Sequence, residues 1–358
     1  MFNRQPYTED VSTKAFNTDN SLKTRLDSAV NGPLSSYIRT KGNVGLSVGI
    51  HYGGKDYYFN YGETRLGNSQ LPTSRTLYDI GSVTKTFTST LLALAVNEGK
   101  VKLSSPITEF LPDSVASNPA LKGITLLQLA NHTSGLPKMV TNWERTVTHI
   151  GQPYANYDTK HLFSYLKSVK SIRSPGTKYE YSNTAVGLLG VILEKIYKSP
   201  YADLVAKYII KPAKLNETKF TVKGADTTLL AQGYNEIFIP AAPWEFKAMQ
   251  AAGALKSSAM DLLAYGKLQL SDAPTPLSTA IKLTHVLTYK DEQASIGLGW
   301  HFLGGNPKIV WHNGATGGYR SLVCVDLERH IVVVVLTNNA STGDTVGFEV
   351  LKALHPLK

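Results

Sequence analysis

The strand signals of this chain lie at its two ends and the helix signals lie between them. Near the start, residues 44–64 form two apolar-aromatic runs around Gly53-Gly54, the pattern of a β-hairpin. Toward the end, residues 296–301, 308–311, 320–326 and 331–336 read as strands, several joined by short turns of Gly, Asn or charged residues. Glu328-Arg329 is the expected tight turn between the last two. In the middle, residues 84–97 (TKTFTSTLLALAVN) place apolar side chains at 87, 91, 92, 94 and 95, a buried helix ending before Gly99. Residues 126–130, 160–169, 184–197 and 259–270 follow the same logic. Strands at both termini around a helical insert predict one sheet built from both chain ends, an α/β (α+β) architecture. We expect residues 1–80 and 271–358 to form the sheet-containing region and 81–270 a mainly helical one, with a functional site between them.

Composition removes several function classes. Of 358 residues, 42% are hydrophobic and 9% aromatic, enough for a sizeable core. The aliphatic run 331–336 is far short of the roughly 20 residues of a membrane span. The polar start, MFNRQPYTEDVSTK, reads as a leader or a trimmed mature end and carries no signal-peptide pattern. The one cysteine, Cys324, excludes an internal disulfide and any CxxC site, and its LVCV setting suits a buried structural thiol. No HExxH, P-loop or EF-hand pattern occurs, so nothing implies a metal, nucleotide or other cofactor. The net charge of +10 is scattered. Its tightest group, Lys167, Lys170 and Arg173, has the i, i+3, i+6 spacing of one solvated helix stripe, and no nucleic-acid recognition motif accompanies it.

Three short motifs carry chemistry. Ser82-Val-Thr-Lys85 opens the apolar helix, and residues i and i+3 share a helix face, so the Lys85 amine reaches the Ser82 hydroxyl. A helix start surrounds Ser82 with backbone N–H groups that favour developing negative charge. A buried neighbouring lysine is partly neutral and therefore basic. The same pattern recurs at Ser164 to Lys167, inside a helix and on the basic stripe. A simple N-cap serine at 82 would also fit this motif alone. Tyr-x-Asn occurs at Tyr58, Tyr154 and Tyr181. Tyr181-Ser-Asn183 follows the Pro175-Gly176 turn and precedes an apolar helix, which fixes its loop. A phenol held there can carry a proton, and Asn183 can bind a substrate amide. Tyr154, on a looser loop, is expected to be an ordinary aromatic. His-x-Gly occurs at His51, His149 and His312. Only His312-Asn-Gly314-Ala-Thr-Gly317-Gly318 lies between strand candidates, with glycines that let a substrate approach the backbone. The N–H of Ala315 there could join that of Ser82 in an oxyanion hole. A structural histidine at 312 is the alternative.

Taken in order, the motifs resemble those of the serine β-lactamase and penicillin-binding-protein superfamily, specifically its class C-like, peptidase S12-type branch: S-x-x-K, Y-x-N, and K/H-x-G on a strand. Residues 80–86 (IGSVTKT), 124–137 (ITLLQLANHTSGLP), 175–183 (PGTKYEYSN), 253–261 (GALKSSAMD) and 312–320 (HNGATGGYR) carry the likeness, over nearly all the chain beyond about residue 40. The resemblance implies the β-lactamase/DD-peptidase-like fold, an antiparallel sheet flanked by helices beside a helical domain. It implies Ser82 as the acylated nucleophile and Lys85 and Tyr181 as proton carriers. It also implies Asn183, His312, Gly314 and Ala315 as substrate-binding residues. The implied partners are a β-lactam, a D-Ala peptide or an ester, with no nucleic acid and no membrane span, in a periplasmic or secreted setting.

Three departures blur the substrate. His312 stands where class C β-lactamases have a lysine, and an imidazole lacks a fixed charge at neutral pH. Met139 stands where those enzymes bind the acyl amide with a glutamine, and the tyrosine of their pocket is replaced near Gly253. The expected activity is therefore a D-Ala-type peptidase or weak β-lactamase. An esterase or D-amino-acid amidase of the same superfamily and a non-catalytic peptidoglycan- or peptide-binding protein are the alternatives. An unrelated α/β-hydrolase, with its nucleophile on a strand-to-helix G-x-S-x-G elbow, is disfavoured.

Overall fold

The computed structural model describes residues 15–170, 173–341 and 343–357. Gly53 and Gly54 both take positive φ (57° and 76°), turning β1 (Gly45–Tyr52) back onto β2 (Lys55–Gly62). The remaining strands of the same sheet are β3 (Tyr289–Lys290), β4 (Ser295–Ile296), β5 (His301–Phe302), β6 (Ile309–Ala315), β7 (Arg320–Asp326) and β8 (Ile331–Thr337). Their order is β2-β1-β8-β7-β6-β5-β4-β3, antiparallel throughout, so the first and last long strands pair, with Leu46 opposite Thr337. The sheet is thus built from both chain ends, as the sequence pattern predicts. The expected single strand over 296–301 is instead β4 and β5 with a turn between them. Gly299, at φ +69°, lies so close to Ser89 that a Cβ would stand 2.5 Å from its hydroxyl oxygen.

Each face of the sheet is covered. Helices α1 (Arg25–Arg39) and, at the C-terminus, Asp344–Leu354 pack one face. There Leu34, Leu46, Val48, Ile50, Leu322, Val333 and Val350 form a core. The opposite face meets a larger core that continues into the helical region. Double coverage explains why all seven residues of β8 are buried and read as an unbroken apolar run. Cys324 is buried in the sheet, and burial pushes its thiol up to about 12, leaving it unreactive.

The helical region surrounds α2 (Thr84–Asn97), whose residues 84–95 are all buried. Around it lie Thr159–Ser168, Asn183–Tyr197, Ala259–Leu268 and Pro276–Thr284. The helix Ala259–Leu268 packs on the sheet, and Pro276–Thr284 packs on α2. The basic stripe is corrected here: the helix ends at Ser168, so Lys170 and Arg173 lie beyond it, and Arg173 faces Glu180 at 3.5 Å. Among the described residues no helix is long and apolar enough to cross a membrane.

Candidate active site

The chain enters α2 through one tight turn. The short strand Tyr78–Asp79 pairs with Lys256–Ser257 and leads into a 3₁₀ turn over Gly81–Val83. Ser82 sits in that turn, two residues before the α-helix, and among the described residues its hydroxyl accepts no capping backbone N–H. Its Oγ lies 2.9 Å from Lys85 Nζ, the one-turn contact expected from the spacing. The Lys85 amine is fully buried, donates to the Ala252 carbonyl at 2.6 Å and lies 4.9 Å from the Tyr181 ring centroid. Burial first, and the positive charge of Lys138 second, hold its pKa well below the ordinary lysine value. A neutral amine beside a serine hydroxyl can take its proton.

Tyr181 comes from a loop fastened at three points. The Glu180 N–H donates to the His132 carbonyl at 2.8 Å, the Ser182 N–H to His132 Nδ1 at 3.1 Å, and the Asn183 N–H to the Lys138 carbonyl at 3.0 Å. Ser182 then caps the following helix through the Ala185 N–H at 2.9 Å. The Tyr181 hydroxyl is hydrogen-bonded to Ser82, and burial raises its pKa above the usual phenol value, so it keeps its proton. Asn183 presents a buried Oδ1 with no partner among the described residues, an acceptor for a substrate N–H. Its Nδ2 faces Met139 Sδ at 3.5 Å.

The third motif lies on β6. Gly81, at φ +46°, passes so close to Ala315 that a Cβ would stand 2.7 Å from the Ala315 nitrogen. A Cβ on Gly314 would overlap the Ile80 carbonyl oxygen, which accepts from the Ser321 hydroxyl at 2.7 Å. The two glycines therefore do more than admit a substrate: they let strand and turn touch, which draws the backbones of Ser82 and Ala315 together. His312 differs from its sequence reading. It is 1% exposed, its ring lies 6.3 Å from that of Tyr181, and it stands behind the cleft lining instead of in it. Its Nδ1 lies 2.6 Å from the Asn313 carbonyl, which requires an N–H at Nδ1. Burial, then His301 and Lys85, hold its pKa well below the histidine value, so it is neutral.

Ser82, Tyr181, Asn183, Gly314 and Ala315 line one cleft of about 750 Å³, together with Lys138, Met139, Trp143, Ile150, Tyr154, Trp244 and Asn313. The expectation for Tyr154 is corrected. It is buried, stacked on Phe246 at 4.9 Å, edge-on to Trp244 at 5.5 Å, and donates to Met139 Sδ at 2.9 Å. Trp244 is held by a buried pair, Asp79 accepting its N–H at 2.9 Å and Lys256 donating to its carbonyl at 2.7 Å. His132, also missed from sequence, packs its ring, tilted by 30°, 4.4 Å from that of Tyr181 and holds φ +61°, a strained value for a residue with a Cβ. Its HTSG setting was the available signal. The chain does contain one G-x-S-x-G pentad, Gly45 to Gly49, but it lies within β1. Ser47 there bonds Tyr78 and the Thr73 carbonyl and forms no nucleophile elbow.

Known proteins resemble this chain along most of its length. The Beta-lactamase family matches residues 33–352. A Pseudomonas fluorescens β-lactamase is 30% identical over 82% of this chain and 88% of its own length. The Escherichia coli (strain K12) D-alanyl-D-alanine-carboxypeptidase/endopeptidase AmpH is 27% identical over 84% and 81%. Among solved structures, a class C β-lactamase superposes with TM-score 0.82 at 23% identity, over 93% of this chain and 98% of that one. A β-lactamase/D-alanine carboxypeptidase from Pseudomonas syringae superposes with TM-score 0.81 at 24% identity, over 94% and 100%. The fold is therefore the β-lactamase/DD-peptidase one, and the chain belongs to the Beta-lactamase family of serine hydrolases.

Proposed function

We propose that the protein cleaves amide bonds of D-Ala-type peptides and β-lactams through an acyl-enzyme on Ser82. The observation that carries this reading is a serine hydroxyl 2.9 Å from a fully buried amine whose surroundings favour its neutral form. In the reaction, Ser82 Oγ attacks the substrate carbonyl as its proton passes to Lys85. The N–H groups of Ser82 and Ala315 receive the oxyanion. Tyr181, protonated, gives its proton to the departing nitrogen and regains one from Lys85; water then releases the acyl group by the reverse path. Asn183 holds the acyl amide, and Gly314 lets β6 run along the cleft. His312 acts from behind Tyr181 as a neutral group, not as a charge for the substrate carboxylate. Action in the periplasm or after secretion goes with such substrates.

A second reading, hydrolysis of small esters, is favoured by that neutral His312 and by the aromatic cleft wall. The test is intact-mass spectrometry after incubation with benzylpenicillin or an activated p-nitrophenyl ester. One acyl group should add to the wild type and none to Ser82→Ala. A penicillin adduct that persists in Ser82→Ala, or maps to Ser164, would sink the assignment, and an adduct from the ester alone would favour the second reading.

A further inference from the structure

Class C β-lactamases have a lysine at the strand position that His312 occupies, and here that position is neutral. The cleft nevertheless contains a cation. Lys138 follows Pro137 on the loop that fastens the Tyr181 segment; it is exposed and lines the cleft beside Met139, Trp143, Tyr154 and Asn183. It is the only charged residue among the described ones lining that cleft, and no described carboxylate lies within ion-pair distance of it. Its charge is felt at the reaction centre, since after burial it is what holds the Lys85 amine down.

Its location gives the side of the substrate it faces. The Lys138 carbonyl accepts the Asn183 N–H at 3.0 Å, and Asn183 is the group that holds the acyl amide in the reading above. The neighbouring Met139 offers only a thioether, a weak acceptor that is already approached by Tyr154 and Asn183. Polar recognition of the acyl side chain therefore falls to Lys138. An unpaired ammonium at the mouth of an aromatic-walled cleft attracts anions more strongly than the same charge on an open surface.

We propose that Lys138 selects acyl donors whose acyl side chain bears a carboxylate, while Trp143, Tyr154 and Trp244 pack its apolar part. The inference rests on the Ser82 acyl-enzyme reading. Three penicillins of one nucleus test it: benzyl (neutral), α-carboxybenzyl (anionic) and α-aminobenzyl (cationic). The second-order rate of Ser82 acylation is measured by intact mass in wild type, Lys138→Met and Lys138→Glu. Ratios between substrates are taken within each protein, so any change in Lys85 basicity cancels. The α-carboxybenzyl to benzyl ratio should fall about fivefold in Lys138→Met, the scale of a partly exposed ion pair. In Lys138→Glu it should fall further, and α-aminobenzylpenicillin should become the preferred substrate. Added salt should shrink the wild-type ratio and leave that of Lys138→Met in place. If benzylpenicillin acylates Ser82 and the ratios stay within about twofold across the three proteins, Lys138 is not the selector and the inference alone falls. If no penicillin acylates wild-type Ser82, the β-lactam reading falls and the inference with it.

Discussion

Whether Lys85 holds a proton sets how this site responds to pH. The ammonium form is the inactive one, and burial disfavours it, so the acid limb of kcat/KM should lie below the ordinary lysine value of about 10.4. Lys138→Met removes a neighbouring positive charge, raises the Lys85 pKa and should move that limb to higher pH. Lys85→Arg should abolish acylation, because a guanidinium keeps its proton. No additional limb near the histidine value of about 6.5 is expected from His312, which burial keeps neutral. Titrating kcat/KM with benzylpenicillin in the wild type and both variants checks all four. The two loop tyrosines separate by what their hydroxyls do. Tyr181→Phe should lower turnover by about 10²-fold or more, the usual worth of a positioned proton carrier. Tyr154→Phe loses the hydroxyl's contacts to Met139 Sδ and Asn183 but no proton carrier, so it should cost far less than Tyr181→Phe, whereas Tyr154→Ala removes a stacked wall ring and should raise KM. A Tyr154→Phe as damaging as Tyr181→Phe would overturn this division. The residues legible in the sequence were those within ordered motifs: Ser82, Lys85, Tyr181, Asn183 and Ala315. Lys138 and Trp244 were not, because they reach the cleft from loops separate in sequence and no local pattern announces that meeting; His132, buried behind Tyr181, had only its HTSG setting as a signal.

At the scale of elements, legibility followed the strength of the local period. Helix α2 runs over Thr84–Asn97, the predicted residues, because apolar side chains recur through it and Gly99 (φ +69°) takes up a left-handed turn just past its end. The segment 296–301 misled because Ile, Leu and Trp alternate with glycine as they would along a strand, while Gly297 and Gly299 serve close backbone approaches. The basic stripe misled because spacing cannot report a helix end at Ser168. The joint between β6 and the Ser82 turn has a sharper consequence. Gly314→Ala would force its Cβ into the Ile80 carbonyl, which Ser321 also anchors. Overpacking of this kind costs about 1–3 kcal/mol. It should also part the N–H groups of Ser82 and Ala315, so acylation should drop by more than the loss of folded protein accounts for. Thermal melting alongside single-turnover acylation measures both, and full acylation in a variant with a lowered Tm would show that the joint is only structural.

The whole molecule places its chemistry on one side of the sheet. Pairing of β1 with β8 closes the sheet from both chain ends, which the distribution of strand signals already required. The sequence could not tell which apolar positions belong to which face, because strands covered on both sides lose their alternation. The structure separates them, and the two cores should behave differently. Leu34 is fully buried between α1 and the sheet, on the face away from Ser82. Phe87, also fully buried, lies on α2 two residues past Lys85 and stacks on Tyr265 at 3.9 Å, tying the helix that bears Lys85 and follows the Ser82 turn to one that packs on the sheet. Leu34→Ala and Phe87→Ala should each destabilise by about 2–5 kcal/mol, the usual range for emptying a core position. At a temperature where both remain folded, Leu34→Ala should keep kcat/KM within about twofold. Phe87→Ala should lose more, because α2 loses the ring that sets its height over the sheet and the Ser82–Lys85 pair moves with it. Denaturant unfolding gives the stabilities and steady-state kinetics the activities. Equal activity in the two variants would mean that the rest of α2's packing alone holds the site, and a larger loss in Leu34→Ala would mean that the sheet transmits strain across its thickness.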